Sequence, residues 1–164
     1  MVNKKFGLGI LALVLVLGMT VIACSDGNGD SADSALNGNW IDEDGVVLAL
    51  NDGSFTARVS GTDIMRGSYS TSGRNLTITI SQIHTNFLAL ELEIDSSYLE
   101  LFGIPEGWYN RNQMLDLFED LVGEDEETVD AINEIFAPMT GTYEIEDGVL
   151  TMTMDDEITT YTRQ

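Results

Sequence analysis

The chain is poor in the residues that build disulfides, metal sites and covalent catalytic centres. Its 164 residues include one cysteine, one histidine and two prolines. A disulfide framework needs paired cysteines and a structural zinc site needs four Cys or His ligands, so both are excluded. Both lysines, Lys4 and Lys5, precede an apolar N-terminal run. The rest of the chain therefore has no side-chain amine for Schiff-base chemistry.

Positive charge is also scarce. The chain has 28 Asp and Glu against seven Lys and Arg, which gives a net charge of -21. Without residues 1–23 the net charge is -23, because that segment holds both lysines and no acid. The residues that follow suit one domain with a real core. Nucleic acid and anionic membrane surfaces repel such a domain, so neither is expected as its direct partner.

Residues 1–23 have the layout of an export signal. A basic start is followed by an apolar run and by small residues before Cys24. An uncleaved membrane anchor is the alternative, although the run is at the short end for crossing a bilayer. Both alternatives place the domain outside the cytoplasm.

The tetrapeptide at 21–24, Val-Ile-Ala-Cys, resembles the lipobox of bacterial lipoproteins. The resemblance implies cleavage before Cys24 and attachment of lipid to that residue. Several acyl chains on one residue anchor a protein stably in a membrane. The resemblance therefore implies a lipid-anchored protein of the bacterial cell envelope, on the outer membrane or cell surface rather than the inner membrane.

Residues 24–36 are rich in Ser, Gly, Asp and Asn, and this composition predicts a flexible tether. A calcium loop that starts at Asp26 is the alternative. Such a loop needs glycine at its sixth position and glutamate at its twelfth, where this chain has Ser31 and Asn37. The tether is therefore the favoured interpretation.

From Trp40 onward, apolar and polar residues alternate in short segments. Residues 55–59, 76–80 and 150–154 each show this period of two, which predicts strands with one apolar face. Asp-Gly pairs between the segments suit hairpin turns. The pattern predicts a mainly β domain over residues 37–164, built as an antiparallel meander, a barrel or a sandwich.

One hairpin pattern occurs twice. Residues 67–80 and 141–154 align without gaps and share Gly-[Ser/Thr]-Tyr, six further residues, and then Leu-Thr-x-Thr. Two copies are too few for a solenoid, so they predict one hairpin used twice in a closed sheet. Closure would leave no sheet edge open to aggregation.

Three features together resemble the lipocalins and related barrels: a Gly-Asn-Trp segment that ends at Trp40, the duplicated hairpin, and Arg163 on the last predicted strand. The resemblance covers residues 36–93 and 139–163. It implies an antiparallel up-and-down β-barrel of about eight strands. It also implies that Arg163 packs on Trp40 in a cation–π contact that closes one end of the barrel.

Residues 96–138 lack the strand pattern and are predicted to form a helical insert in the barrel. Apolar residues at helical spacing indicate helices over 112–122 and 125–136. Asn112 can cap the start of the first helix and Gly123 its end.

The helical insert is acidic, and the chain has no Lys or Arg between Arg111 and Arg163. A solvated face that keeps the protein soluble is the simplest interpretation. The alternatives are a docking surface for a basic partner and a weak divalent-cation site.

No catalytic constellation is recognisable in the sequence. The single histidine, His84, stands at the end of a predicted strand without a partner motif, and it is interpreted as a rim residue. A carboxylate pair of the glycosidase kind stays open, because an acidic chain contains many pairs. We expect no enzyme activity, no cofactor and no metal.

Two functions are compatible with these features of a monomeric lipoprotein. In the first, the barrel binds a small apolar ligand in its interior, below an aromatic loop of the insert. The candidate lining residues are Phe55, Tyr69, Phe87, Trp108, Tyr109, Tyr143, Met152 and Met154. The alternative role for these side chains is to fill the barrel as core. In the second, the acidic insert docks a cationic protein partner.

Overall fold

The protein is described by a computed structural model over residues 33–91, 94–123 and 125–164. The predicted signal, Cys24 and most of the predicted tether lie outside the described residues. The strands in chain order are β1 (Gly38–Ile41), β2 (Val46–Asn51), β3 (Ser54–Val59), β4 (Thr62–Ser72), β5 (Asn75–His84), β6 (Trp108–Tyr109), β7 (Met139–Glu146), β8 (Val149–Met154) and β9 (Glu157–Arg163). The helices are α1 (Thr85–Glu91), α2 (Ser97–Leu101), α3 (Arg111–Val122) and α4 (Glu126–Ile135).

The strands form a closed antiparallel barrel. Each strand from β1 to β5 pairs with the next, β5 pairs with β7, and β9 returns to β1. The short strand β6 pairs with β5 beyond the stretch that pairs with β7. The mainly β fold predicted from the sequence is confirmed, as an eight-stranded up-and-down barrel.

Two Asp-Gly pairs form the tight turns that the sequence predicts. Asp52 and Gly53 have φ angles of 44° and 83°, and Asp147 and Gly148 have φ angles of 51° and 80°. Positive φ at both central positions matches the twist of a hairpin, and Asp and Gly tolerate it better than other residues. These turns join β2 to β3 and β7 to β8.

The duplicated hairpin is confirmed by strand register. Gly67 lies opposite Ile80 in the first copy, and Gly141 lies opposite Met154 in the second. The tyrosines of the two copies are also placed alike, because Tyr69 lies opposite Ile78 and Tyr143 lies opposite Met152. The chain therefore builds two parts of the barrel wall, β4–β5 and β7–β8, from one pattern.

The two predicted helices of the insert are present with shifted ends. Asn110, rather than Asn112, caps α3: its side chain accepts from the Gln113 amide at 3.0 Å while the Gln113 side chain accepts from the Asn110 amide. The prediction of Asn112 as the cap is wrong because this reciprocal pair fixes the helix start earlier. Gly123 ends α3 as predicted, with its amide donating to Glu119.

The helical insert begins earlier than predicted, and we define the insert from here on as residues 85–138. The chain leaves the barrel after His84 and forms α1, a helix that the sequence pattern did not indicate. Its four apolar residues, 87–90, are consecutive, so they fit neither strand alternation nor a helical stripe. The insert also holds β6, which is too short to show alternation.

The barrel has two distinct ends. One, the closed end, holds the β2–β3, β4–β5 and β7–β8 turns together with residues 33–37, where a single 3-10 turn spans Ser34–Leu36. The other, the insert end, holds the remaining turns and both junctions of the insert. Buried residues of the barrel and the insert form one hydrophobic cluster. Helix α1 contributes to this cluster by packing against β4 and β5.

Candidate functional site

The closed end is built around Trp40. Its side chain is fully buried, and its indole N–H donates to the Leu36 carbonyl at 2.6 Å. The Arg163 guanidinium carbon lies 4.6 Å from the centre of the Trp40 ring. The same guanidinium donates to the carbonyls of Ala35, at 2.6 Å, and Asn37, at 3.2 Å. The contact implied by the lipocalin resemblance is present, and it holds the 3-10 turn against the barrel.

The two tyrosines of the duplicated hairpin clasp the chain that leads into the barrel. The Tyr69 hydroxyl donates to Asn37 Oδ1 at 3.0 Å, and the Tyr143 hydroxyl donates to Asp33 Oδ2 at 2.7 Å. Leu36, which lies between Asp33 and Asn37 in the chain, is fully buried. Residues 33–36, at the end of the predicted tether, therefore belong to the folded domain.

Ionisation of the Tyr143–Asp33 clasp should control part of the stability of the closed end. Burial and the Asp33 carboxylate raise the pKa of Tyr143 from 10.0 to about 12. Hydrogen bonds from Tyr143 and from the Ala35 amide lower the pKa of Asp33 below 3.8. The contribution of Tyr143 to the free energy of unfolding is complete below pH 10.0 and is lost as the pH rises through about 12. The aspartate contribution is present above pH 3.8 and is lost as the pH falls through its lowered pKa.

We therefore expect Tyr143→Phe to lower the free energy of unfolding by about 1–2 kcal/mol at pH 7. The difference from wild type should shrink both above pH 10.0 and below pH 3.8. Urea denaturation followed by circular dichroism across this pH range measures it. Tyr98→Phe is the matched control, because Tyr98 is 55% exposed. A Tyr143→Phe effect that does not vary with pH would contradict the assignment.

The structure places the predicted ligand-lining residues mostly in the packed core. The buried ones are Phe55, Tyr69, Phe87, Tyr143 and Met152. Met154 and Tyr109 are partly buried against the same cluster, and Trp108 is also partly exposed. Two open cavities are lined by described residues, and both lie on the outside. One, of about 320 Å³, borders the Tyr143–Asp33 clasp, and the other lies in the insert.

Trp108 and His84 meet on the outer wall of the barrel rather than over a ligand chamber. Their rings are 5.1 Å apart in an edge-to-face arrangement, and the Arg66 guanidinium carbon lies 4.2 Å from the centre of the Trp108 ring. His84 Nδ1 accepts from the Asn86 amide at 3.2 Å, at the point where β5 gives way to α1. These contacts tie the short strand β6 to the barrel, which is a structural role.

The acidic insert carries an open groove between α3 and α4. We call this cavity, of about 540 Å³, the insert groove. Its apolar lining consists of Leu115, Phe118, Val129 and Ile132, and its acidic lining consists of Glu119, Asp125 and Glu126. The sequence predicted both helices but not the groove, because helical periodicity does not say how far apart two helices pack.

The acids of the insert are not neutralised by ion pairs within the described residues. Both ion pairs found there, Arg58–Asp63 and Arg74–Glu144, belong to the barrel. Arg111, the one arginine of the insert, donates instead to Asn133 of α4 at 2.8 Å. The insert holds 14 of the 28 acids of the chain. Its negative field therefore faces solvent and attracts cations and basic surfaces.

Two further properties concern the described residues as a set. No helix among them is long and apolar enough to cross a bilayer. No three His, Asp or Glu side chains within residues 33–91, 94–123 and 125–164 are grouped as ligands around one point.

The fold and these surfaces define a class: a closed eight-stranded antiparallel barrel with a packed interior and an acidic helical insert at one end. Comparison of the chain with protein-family models, with curated proteins and with solved structures finds no match.

Proposed function

We propose that the protein is a lipocalin-like lipoprotein of the bacterial cell envelope that docks a cationic protein partner on its helical insert. Lipid on Cys24 would hold it to the membrane, and the barrel would act as a scaffold without catalysis. The lipobox resemblance supports the anchor, and the Trp40–Arg163 contact supports the relation to lipocalins.

One observation carries the proposal. Among the described residues, the exposed large apolar side chains are Leu90, Tyr98, Leu101, Phe102, Val129 and Ile158. All except Ile158 lie on the insert. These five side chains lie within one segment of the chain, which makes the insert the candidate interaction surface of the protein. The insert also holds 14 of the 28 acids of the chain, and none of its described acids forms an ion pair, so its preferred partner carries positive charge.

The position of the insert supports the same function. Residues 33–37, which lead into the barrel, lie at the closed end, where Tyr69 and Tyr143 hold them. The insert leaves from the opposite end. A partner can therefore reach the insert without passing between the barrel and the anchor.

The small-ligand function stays a prediction. Five of its eight candidate lining residues are buried in the hydrophobic cluster, and Tyr109 and Met154 are packed against it. These observations favour the insert over the interior as the working surface.

The test is co-purification of the full-length protein from solubilised envelopes of its own host. Glu119→Gln with Glu126→Gln removes two charges from the insert, and Asp155→Asn with Asp156→Asn removes two from the β8–β9 turn. We expect the first pair to reduce recovery of a basic partner by about 3-fold to 10-fold and the second to leave it within about 2-fold.

Salt provides the second arm of this experiment. Exposed charges are screened beyond about 3 Å at 1 M salt, against about 8 Å at 0.15 M, so recovery should fall steeply between these concentrations. A partner recovered equally by both double variants would count against the proposal.

A further inference from the structure

We infer that the insert groove seats one amphipathic cationic helix of the partner. This inference rests on the proposed function, because it specifies which part of the partner the insert binds. It is drawn from the shape of the groove, from the charges at its rim and from the poor fit of other occupants.

The apolar lining of the groove comes from one face of each helix. Leu115 and Phe118 are three residues apart on α3, and Val129 and Ile132 are three apart on α4. Ile132 is buried at 3% exposure, whereas Val129 is 39% exposed at the lip. The groove therefore offers a deep apolar side and an open apolar edge, which an added apolar surface would cover.

Acids line the groove beside these apolar residues. Glu119 lies one residue after Phe118, and Asp125 and Glu126 lie at the start of α4. Asp125 also caps α4, accepting from the Thr128 amide at 3.1 Å, so its carboxylate is held in place. A basic residue that flanks the apolar face of an incoming segment would meet carboxylates.

A helix fits this arrangement better than an extended segment. Side chains of one helix pack into the groove between ridges of its neighbours, and a pair of helices thus accepts a third along their shared groove. An amphipathic helix brings apolar residues to one face at spacings of three and four. An extended segment would need an open sheet edge for its backbone hydrogen bonds, and α3 and α4 offer none.

Two other occupants fit less well. A second copy of this chain carries the same acidic insert, so like charges would face each other across the interface. A small molecule needs a pocket that encloses most of its surface, whereas Val129 and the carboxylates leave this groove open to solvent. A cationic helix satisfies both the apolar lining and the acidic rim.

The test uses two synthetic peptides of about 18 residues, long enough for five turns of helix. One is a Leu/Lys sequence with an amphipathic helical pattern, and the other is its scrambled isomer with the same charge. Each carries a fluorophore for anisotropy and a photoreactive group. The full-length protein is held in non-ionic detergent micelles. Uptake of peptide by detergent is therefore the same for wild type and variants.

We expect the amphipathic peptide to bind the wild type at least about 10-fold more tightly than the scrambled isomer, because only the first presents an apolar face. Val129→Arg should weaken its binding about 10-fold by placing a cation at the lip. Glu119→Gln with Glu126→Gln should weaken it about 3-fold to 10-fold, and the Asp155→Asn, Asp156→Asn control by less than about 2-fold. Crosslinks should map to α3 and α4.

Equal binding of the two peptides, unchanged affinity of Val129→Arg, or crosslinks confined to the barrel would overturn the inference. Val129 and Glu126 are exposed, so circular dichroism is expected to show folded variants. If the Glu119→Gln, Glu126→Gln variant loses the host partner but the wild type does not bind the amphipathic peptide, the helix inference is overturned and the proposed function stands. If the peptide binds in the groove but both double variants recover the host partner equally, the proposed function is contradicted instead.

Discussion

Trp40→Ala is expected to lower the free energy of unfolding by about 3–5 kcal/mol. The side chain has 0% exposure, so its removal leaves a cavity at the closed end. It also removes the hydrogen bond to the Leu36 carbonyl and the surface on which Arg163 packs. Since a domain is stable by only about 5–15 kcal/mol, this loss is a large share of the total.

The second tryptophan provides a matched control for this experiment. An arginine packs on Trp108 as well, since the Arg66 guanidinium carbon lies 4.2 Å from the centre of its ring. Trp108, however, is only partly buried on the outer wall. Trp108→Ala should therefore cost about 1–2 kcal/mol, because little core is lost. Urea denaturation followed by far-ultraviolet circular dichroism compares the two without relying on tryptophan fluorescence. Equal losses would show that Trp40 does not organise the core.

Alanine at Gly67 or at Gly141 is expected to cost about 2–3 kcal/mol each. A Cβ atom at Gly67 would collide with the Thr79 carbonyl oxygen and come within 2.7 Å of the Phe55 ring. At Gly141 it would collide with the carbonyl oxygen of Thr153 and with the Met154 sulfur. Backbone oxygens of a paired strand cannot move aside without distorting the ladder, so both substitutions are costly.

The two sites test the duplicated hairpin directly. Because the same atom of an equivalent threonine blocks Cβ in both copies, the two substitutions should destabilise the barrel similarly. Gly107→Ala is the control, since a Cβ there meets only Tyr109, at 3.8 Å, and it should change stability by less than about 0.5 kcal/mol. Thermal unfolding of the three variants measures the effects. Losses at Gly67 and Gly141 as small as the control's would contradict the role of these glycines.

The sequence predicted the barrel wall well because its signals are local. Alternation at residues 76–80 and 150–154 reflects one apolar face per strand, and the Asp-Gly turns fix the hairpins. The repeated pattern indicated that two parts of the sheet share a register. The pairing of Gly67 with Ile80 and of Gly141 with Met154 confirms this. Pairing of β9 with β1, by contrast, is a long-range contact that the resemblance at Trp40 made predictable.

The candidate site was less predictable because its features depend on packing between elements. Asp33 belongs to a polar stretch that reads as tether, and it is ordered through a bond to Tyr143, 110 residues away in the chain. The insert groove depends on how α3 and α4 meet. The candidate lining residues were apolar in sequence, and composition cannot separate a ligand-lining side chain from one that fills the core.

The most direct test of the central claim is photocrosslinking in the envelope of the host. A photoreactive residue replaces Val129, at the lip of the insert groove, or Ile158, on β9 of the barrel. Val129 is 39% exposed and Ile158 is 69% exposed, so accessibility alone would give more crosslinking from position 158. We predict a salt-sensitive adduct with a basic protein from position 129 and none from position 158. The same adduct from both positions, or from position 158 alone, would contradict the assignment of the insert as the docking surface.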